Sequence, residues 1–199
     1  MSKTKISVVV PIYNEAESIQ ELYKRLTATL TQISPTYELL FIDDGSTDNS
    51  LGLLKDLKNS DKNVRIIKFT RNFGQQSAVL AGFRHCKGDI IVQLDADLQN
   101  PPEEIPKLIE KLNEGFDLVS GIRKKRQDSF LRKICSSFLI FLISKLMGKK
   151  IDLDISSFRV MNRGVVKKIN ECKDKSRFLS ALVSWLGVSS AQVEVEHAK

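Results

Sequence analysis

Asp95 and Asp97 stand i and i+2, directly after the apolar run Ile90 to Leu94. In extended chain that spacing turns both side chains to one side, because side chains alternate with period two. Two carboxylates on one side compete for a proton unless a cation sits between them. A hard divalent ion, Mg²⁺ or Mn²⁺, suits such a pair. It needs few carboxylates and leaves its other positions to water and phosphate oxygens. Gln99, two residues on, is placed to add a third oxygen. A solvated acidic turn ahead of a helix shares this spacing, so the pair needs support from the rest of the chain.

The elements that must hold these residues can be read in order. Gly88-Asp89 is a turn signal, and Ile90 to Leu94 has the length and composition of a buried strand. Upstream, Ile6 to Ile12 is an apolar, β-branched run broken by Pro11 and followed by Tyr13-Asn14-Glu15. Asn14 is expected to cap the next helix, with Glu17 as its reciprocal partner. Ile19, Leu22, Tyr23, Leu26, Leu30 and Ile33 then share one helical face. Tyr37 to Ile42 reads as a second strand, ending in Asp43-Asp44-Gly45-Ser46-Thr47-Asp48. A helix from Ser46 or Thr47 carries Leu51, Leu54 and Leu57. Val64 to Phe69 is a third strand, running into Arg71-Asn72-Phe73-Gly74-Gln75-Gln76. A small-residue helix to about Cys86 follows, closed by Gly88. After the fourth strand, Asn100 is expected to cap a helix with Pro101 at its first position. That helix buries Ile105, Leu108, Ile109 and Leu112 and stops at Gly115, and Phe116 to Ser120 reads as a fifth strand.

Strands alternating with helices predict an α/β fold, a mostly parallel sheet with helices on both faces. Ligands of such sheets sit outside the carboxyl ends of the strands. The distinctive polar residues all fall there: Tyr13, Asn14 and Glu15, then Asp43 and Asp44, then Arg71 and Asn72, then Asp95 and Asp97, and finally Arg123. Five loops converge on one edge. The first loop lacks Gly-x-Gly-x-x-Gly, and no Gly-x-x-x-x-Gly-Lys occurs, which disfavours a Rossmann dinucleotide site and a P-loop.

Composition narrows the partners. The chain of 199 residues is long enough for one domain with a sizeable core, and Lys plus Arg (31) exceed Asp plus Glu (24), for a net charge of +7. That surplus favours anionic partners. Cys86, Cys135 and Cys172 lack metal-ligand spacing and read as reduced thiols. Ser2-Lys3-Thr4-Lys5 leads straight into a strand without a signal-peptide pattern, and no segment reaches the ~18 apolar residues of a membrane span.

Four motifs carry a family likeness: Pro11-Ile12-Tyr13-Asn14-Glu15, Asp43 to Asp48, Arg71-Asn72-Phe73-Gly74-Gln75, and Asp95-Ala96-Asp97-Leu98-Gln99-Asn100-Pro101-Pro102-Glu103. In this order they resemble family 2 glycosyltransferases of GT-A fold, and more closely the polyprenyl-phosphate branch that includes dolichol-phosphate mannose synthase. Gln127-Asp128-Ser129 and Arg132-Lys133 look most like the undecaprenyl-phosphate 4-deoxy-4-formamido-L-arabinose transferases. The resemblance implies a nucleotide pocket from Pro11, Tyr13, Glu15, Phe41 and Asp43, with Asp95, Ala96, Asp97 and Arg123 on the diphosphate side. It implies a metal held by Asp95, Asp97 and Gln99, and catalytic roles for Asp97, Arg123 and Arg159. Read as residues alone, Glu15 also suits a helix N-terminus, Tyr13 a core, and Arg159 a structural ion pair.

The reaction so implied transfers a sugar, with inversion, from a nucleotide diphosphate to a polyprenyl phosphate at the cytoplasmic membrane face. Some relatives carry an aspartate, a proposed base, directly before Phe-Arg, where this chain has Ser157. Asp152 and Asp154 are nearby alternatives. A phosphate acceptor, largely dianionic at neutral pH, needs little help from a base. A soluble or glycan hydroxyl acceptor would need one, and a non-catalytic nucleotide-sugar or membrane-binding module would not need the metal. Residues 1–125 are expected to form the donor-binding core and 126–199 the acceptor and membrane side of the same domain. There, Phe138-Leu139-Ile140-Phe141-Leu142-Ile143 lies within a basic stretch from Arg123 to Lys150, the composition of a helix lying on an anionic membrane surface. A core helix with a solvated flank is the plainer alternative. Nucleic acid is not expected, since no aromatics interleave with the basic cluster and no such motif occurs. A homo-oligomer is compatible with this reading. Val193 to Lys199 resembles the strand that in the family precedes an Arg-x-x-Gly-x-Ser-Lys-Tyr motif and two membrane helices. The expectation is therefore a shortened chain or a natural short form.

Overall fold

The computed structural model describes residues 5–123, 157–172 and 186–196. Strands β1 (Ile6–Ile12), β2 (Tyr37–Asp43), β3 (Val64–Lys68) and β4 (Ile90–Gln93) alternate with helices α1 (Ile19–Ile33), α2 (Ser50–Ser60) and α3 (Gln75–His85). A 3-10 turn at Pro102–Glu104 leads into α4 (Ile105–Asn113) and then β5 (Leu118–Arg123). Beyond it lie β6 (Arg159–Asn162), α5 (Arg163–Glu171) and β7 (Ser190–Val195). The seven strands form one sheet in the order β3-β2-β1-β4-β6-β5-β7. Every pairing is parallel except those of β6, which runs antiparallel to β4 and β5.

Side-chain alternation along the strands divides the core into two layers. Val8, Val10, Ile12, Leu39 and Phe41 pack with Ile19, Leu22, Leu26 and Leu30 of α1 and with Leu108 and Leu112 of α4. Val9, Leu40, Ile42 and Ile91 face the other way, onto Ala78, Val79 and Phe83 of α3 and Val165, Val166 and Ile169 of α5. A sheet apolar on both faces must be covered on both, and the parallel crossovers supply those helices. Helix α3 lies close to the sheet because it presents Gly82 there. A Cβ at that position would sit 2.3 Å from a Val9 methyl and 2.9 Å from the Ile42 Cδ1.

This order places β1 at a switch point. The chain leaves β1 toward β2 and β3, then returns to place β4 on the opposite side of β1. Crossovers on either side of such a point diverge and leave a crevice outside the carboxyl ends of the two strands. The loops after β1 and β4 carry Tyr13 to Glu15 and Asp95 to Asp97.

Several local expectations shift. Asn14 does not cap α1, which begins at Ile19 after Ser18 with no side-chain cap bond. Instead Asn14 adopts φ +55, which asparagine tolerates, and its Oδ1 accepts the Thr47 N–H at 2.8 Å. Helix α2 starts at Ser50, because Ser46 to Asp48 are occupied by contacts to the first loop. Helix α3 ends at His85, and the Gly88 N–H reaches the Ser7 Oγ at 2.6 Å. Asn100 is buried and the 3-10 turn starts at Pro102, one residue beyond the expected position. Strand β5 starts at Leu118, not Phe116, which packs at the margin of the α1/α4 layer. The Phe138–Met147 segment, Cys135, Asp152, Asp154 and the Arg123 side chain lie outside the described residues.

Candidate active site

Pro11, Ile12, Tyr13, Glu15, Asp44, Asn72, Gln75, Asp95, Ala96 and Asp97 line a cleft of about 310 Å³ over the carboxyl ends of β1 to β4. The first two loops are bound to each other by short polar side chains. The Asn14 N–H donates to Ser46 Oγ at 3.1 Å, Glu15 N–H to Ser50 Oγ at 2.8 Å, and Ala16 N–H to Asp48 Oδ2 at 3.1 Å. The Glu15 carboxylate accepts from Ser18 Oγ at 3.0 Å. Tyr13 is 44% exposed, so its ring belongs to the cleft wall and not to the core.

Phe41 and Asp43 sit deeper than the lining residues. The Phe41 side chain is fully buried within the α1/α4 layer and is not among the residues that line the cleft. Asp43 is also fully buried. Its Oδ1 accepts the Ser46 N–H at 3.2 Å, while its Oδ2 has no partner among the described residues. A buried carboxylate oxygen without a donor is costly, so it is suited to receive an N–H or hydroxyl from a bound molecule.

The Asp-x-Asp loop splits its two carboxylates by environment. Asp97 is exposed at the cleft, and its Oδ1 accepts the Gln99 N–H at 3.0 Å. Gln99 is exposed beside it and does not line the cleft. Leu98, between them, takes φ +59 and packs against the α1/α4 core layer. That backbone is strained for a leucine and is held by the burial of its side chain. Asp95 is half-buried and fully engaged: Oδ1 accepts from Gln75 Nε2 at 2.6 Å and Oδ2 accepts from Ser157 Oγ. Burial raises the Asp95 carboxyl above the usual carboxylate range and the Asp97 charge adds to this, against the Ser157 and Gln75 hydrogen bonds and the nearby Arg159 charge.

Arg159 enters through β6, opposite Gln93 of β4 and Ser120 of β5. It is only 3% exposed, and its Nε and Nη1 have no hydrogen-bond partner among the described residues. Burial pulls its pKa down to about 10, opposed by the Asp95 charge, so it stays cationic at neutral pH. Arg159 is therefore buried and is not among the residues that line the cleft. The Arg123 backbone ends β5 at the same sheet edge.

The donor set fits a hard divalent ion held jointly by protein and phosphate. Asp97 offers an outward oxygen with Asp95 two residues away. Among the described residues, no group of three His, Cys, Asp or Glu side chains is arranged to hold a metal. A site with so few protein ligands needs phosphate oxygens and water to complete its shell, as Mg²⁺ and Mn²⁺ sites commonly do. Asp44, Asn72 and Gln75 are lining residues that the sequence places at the right edge without a role. Their signal was their position inside the second and third motifs.

A mostly parallel sheet with an Asp-x-Asp loop at its β1/β4 switch point is the arrangement of the GT-A class. The chain belongs to glycosyl transferase family 2, whose family model matches residues 7–170. It is 41% identical over 196 residues to the undecaprenyl-phosphate 4-deoxy-4-formamido-L-arabinose transferases of Salmonella paratyphi A and Salmonella dublin. The match covers 98% of this chain and 60% of each relative, so the chain spans about three fifths of their length. Among solved structures it resembles glucosyl-3-phosphoglycerate synthase from Mycobacterium tuberculosis in complex with Mn²⁺, uridine diphosphate and phosphoglyceric acid. There the TM-score is 0.71 at 20% identity, over 98% of this chain and 70% of that one. It also resembles S. aureus TarS 1-349, with a TM-score of 0.68 at 19% identity, over 97% of this chain and 59% of that one. At these identities the likeness is one of fold. Among the described residues no helix is long and apolar enough to cross a membrane.

Proposed function

We propose that this chain carries the catalytic domain of an inverting glycosyltransferase. It would move a sugar from a nucleotide diphosphate, uridine-linked in this reading, to a polyprenyl phosphate such as undecaprenyl phosphate. The reaction would take place at the cytoplasmic face of the cell membrane. The observation that carries the reading is the pairing of an outward Asp97 with a fully engaged Asp95 on the floor of a cleft at the switch point. The 41% identity to transferases named for undecaprenyl phosphate supports the acceptor class.

In this mechanism Tyr13 and Pro11 flank the base or ribose. Glu15 and the unpartnered Asp43 oxygen accept its hydrogens. Asp97, with Asp95 and Gln99 beside it, would hold Mg²⁺ or Mn²⁺ against the diphosphate. When bound, the ion offsets the charge that develops on the leaving phosphate. Ala96 is buried between the two aspartates, so the loop backbone can approach the diphosphate closely. Arg123, whose backbone ends β5, would pair with phosphate oxygens through its planar fork. Arg159 supplies positive charge to the acceptor side.

The acceptor accounts for what stands at Ser157. Its hydroxyl is committed to Asp95, so it contributes no base. A phosphate monoester has its second pKa near ~6 and is its own nucleophile at neutral pH. The basic, apolar Phe138–Met147 stretch is assigned to an anionic membrane surface on its composition. The deciding assay is transfer of radiolabelled sugar from uridine and guanosine diphosphate donors, followed by butanol extraction. Label in the butanol phase only with polyprenyl phosphate supports the reading. Label that stays in water with a hydroxyl acceptor rejects it.

A further inference from the structure

Asp95 is held at three points by elements distant in sequence. Gln75 opens α3 and is exposed at the cleft, yet its amide reaches across to Asp95 Oδ1 at 2.6 Å. An ionised carboxylate only accepts, so the glutamine must present its NH₂ group there. From the opposite side the Ser157 hydroxyl donates to Oδ2. The charge of the buried Arg159 also acts on Asp95.

The loop that carries Gln75 is itself fixed. Both Asp44 oxygens are used, accepting the Phe73 N–H at 2.7 Å and the Gly74 N–H at 2.8 Å. Asn72 Oδ1 also accepts the Gly74 N–H, at 2.9 Å. Gln75 therefore starts from a backbone that cannot drift, and its amide is a rigid strut and not a free surface side chain. Asp95 cannot rotate without breaking one strut or the other. Asp97, two residues along a loop already strained at Leu98, takes its position from that anchor.

We propose that Gln75 and Ser157 are positioning residues for the Asp-x-Asp loop. They hold Asp95 from both sides and so set where Asp97 presents its outward oxygen to a divalent ion and a diphosphate. Neither residue touches the reacting atoms. The inference rests on the proposed function for the identity of the ligand, but not for the geometry of the clamp. Outer-shell groups of this kind change metal affinity because they remove the freedom a ligand would otherwise lose on binding.

The test compares the wild type with Gln75→Leu, Ser157→Ala, Ser157→Thr and the Gln75→Leu/Ser157→Ala double variant. Binding of Mn²⁺ in the presence of uridine diphosphate is followed by the electron paramagnetic resonance of free Mn²⁺, and ligand-free melting is recorded beside it. Gln75→Leu and Ser157→Ala are each expected to weaken Mn²⁺ binding by about 10-fold, the scale of lost outer-shell support. The double variant should lose less than the product of the two, since one strut without the other no longer fixes Asp95. Ser157→Thr, which keeps the hydroxyl, should recover most of the affinity, a rescue that a merely structural role does not predict. Gln75 is exposed, so its variant should fold and can decide the matter alone if Ser157→Ala does not. Wild-type affinity in Gln75→Leu, or a Ser157→Thr as weak as Ser157→Ala, overturns the clamp while leaving the proposed function standing. A wild type that binds neither Mn²⁺ nor the nucleotide overturns both.

Discussion

The Asp44 carboxylate takes the backbone N–H of Gly74 at 2.8 Å, joining the loop after β2 to the loop after β3. Its other oxygen takes the Phe73 N–H at 2.7 Å, so a side chain that is 2% exposed spends both oxygens on a neighbouring main chain. Charge-assisted bonds of this kind are roughly twice as strong as neutral ones. They fix the wall of the cleft from which Asn72 and Gln75 project.

Gly45 permits this approach. It takes φ +72, and a Cβ there would stand 2.5 Å from the Arg71 carbonyl carbon and 2.8 Å from the Asn72 nitrogen. Gly45→Ala is expected to cost at least about 2 kcal/mol, from the left-handed backbone and a clash with main chain that cannot turn aside. Urea unfolding measures the cost. A change under ~0.5 kcal/mol would show that the two loops tolerate separation.

At the opposite edge of the sheet, Glu38 gives the fold a sensitivity to acid. It is 3% exposed, and its carboxylate accepts from Ser7 Oγ at 2.5 Å, Arg65 Nη1 at 2.6 Å and the Lys87 N–H at 2.5 Å. Burial alone would raise its pKa, but the bonds from Ser7, Arg65 and Lys87 outweigh burial and leave it below the ordinary value of 4.5. A depressed carboxyl stabilises the fold above that ordinary value, and the contribution is lost as pH falls through the folded one. Stability should therefore fall as the solution is taken below pH 4.5. Glu38→Gln should be less stable at pH 7 and lose part of this acid slope. Denaturant midpoints from pH 7 to pH 3 test both, and parallel curves for variant and wild type would reject the assignment.

What could be read in advance followed from local periodicity. Ile90 to Leu94 with Asp95 and Asp97 behind it identified a strand and its loop, because alternation and carboxylate spacing are properties of neighbouring residues. The cleft was legible for the same reason: parallel crossovers bring every βα loop to one edge. Long-range pairing was not legible. Nothing near Arg159 in sequence shows that β6 inserts antiparallel between β4 and β5, and that insertion is what buries Arg159 inside the sheet. Asn14 illustrates the same limit. A capping pattern predicts a bond to its own helix, whereas the side chain crosses to Thr47, on a loop made adjacent by the parallel pairing of β1 and β2.

A substitution at Arg159 tests whether its charge serves the acceptor or the donor. Its Nε and Nη1 are buried without hydrogen-bond partners among the described residues, and its charge acts on Asp95. Arg159→Met keeps the volume and removes the charge. It is expected to lower transfer by more than about 100-fold, the scale lost with one preorganised electrostatic group. Nucleotide affinity should change far less, while the melting temperature is expected to fall, because Asp95 loses the buried cation that offsets its charge. Single-turnover transfer read beside nucleotide titration resolves the two effects. An equal loss in both would place Arg159 with the donor.

Asp97 carries the most direct test of the metal assignment. Uridine diphosphate with Mn²⁺ should raise the melting temperature of the wild type, because a ligand that binds only the folded state stabilises it. At about 100 times its dissociation constant the gain is about 2.7 kcal/mol. Asp97 is exposed and its Oδ1 accepts the Gln99 N–H, an exposed contact, so Asp97→Ala should leave the ligand-free protein close to wild type. The same substitution should abolish the part of the shift that depends on Mn²⁺ while keeping any shift from the nucleotide alone. Omitting the metal from the wild type should give the same melting curve as the variant. A Mn²⁺-dependent shift of unchanged size in Asp97→Ala would place the ion elsewhere, and the Asp-x-Asp loop would then have to act through hydrogen bonds alone.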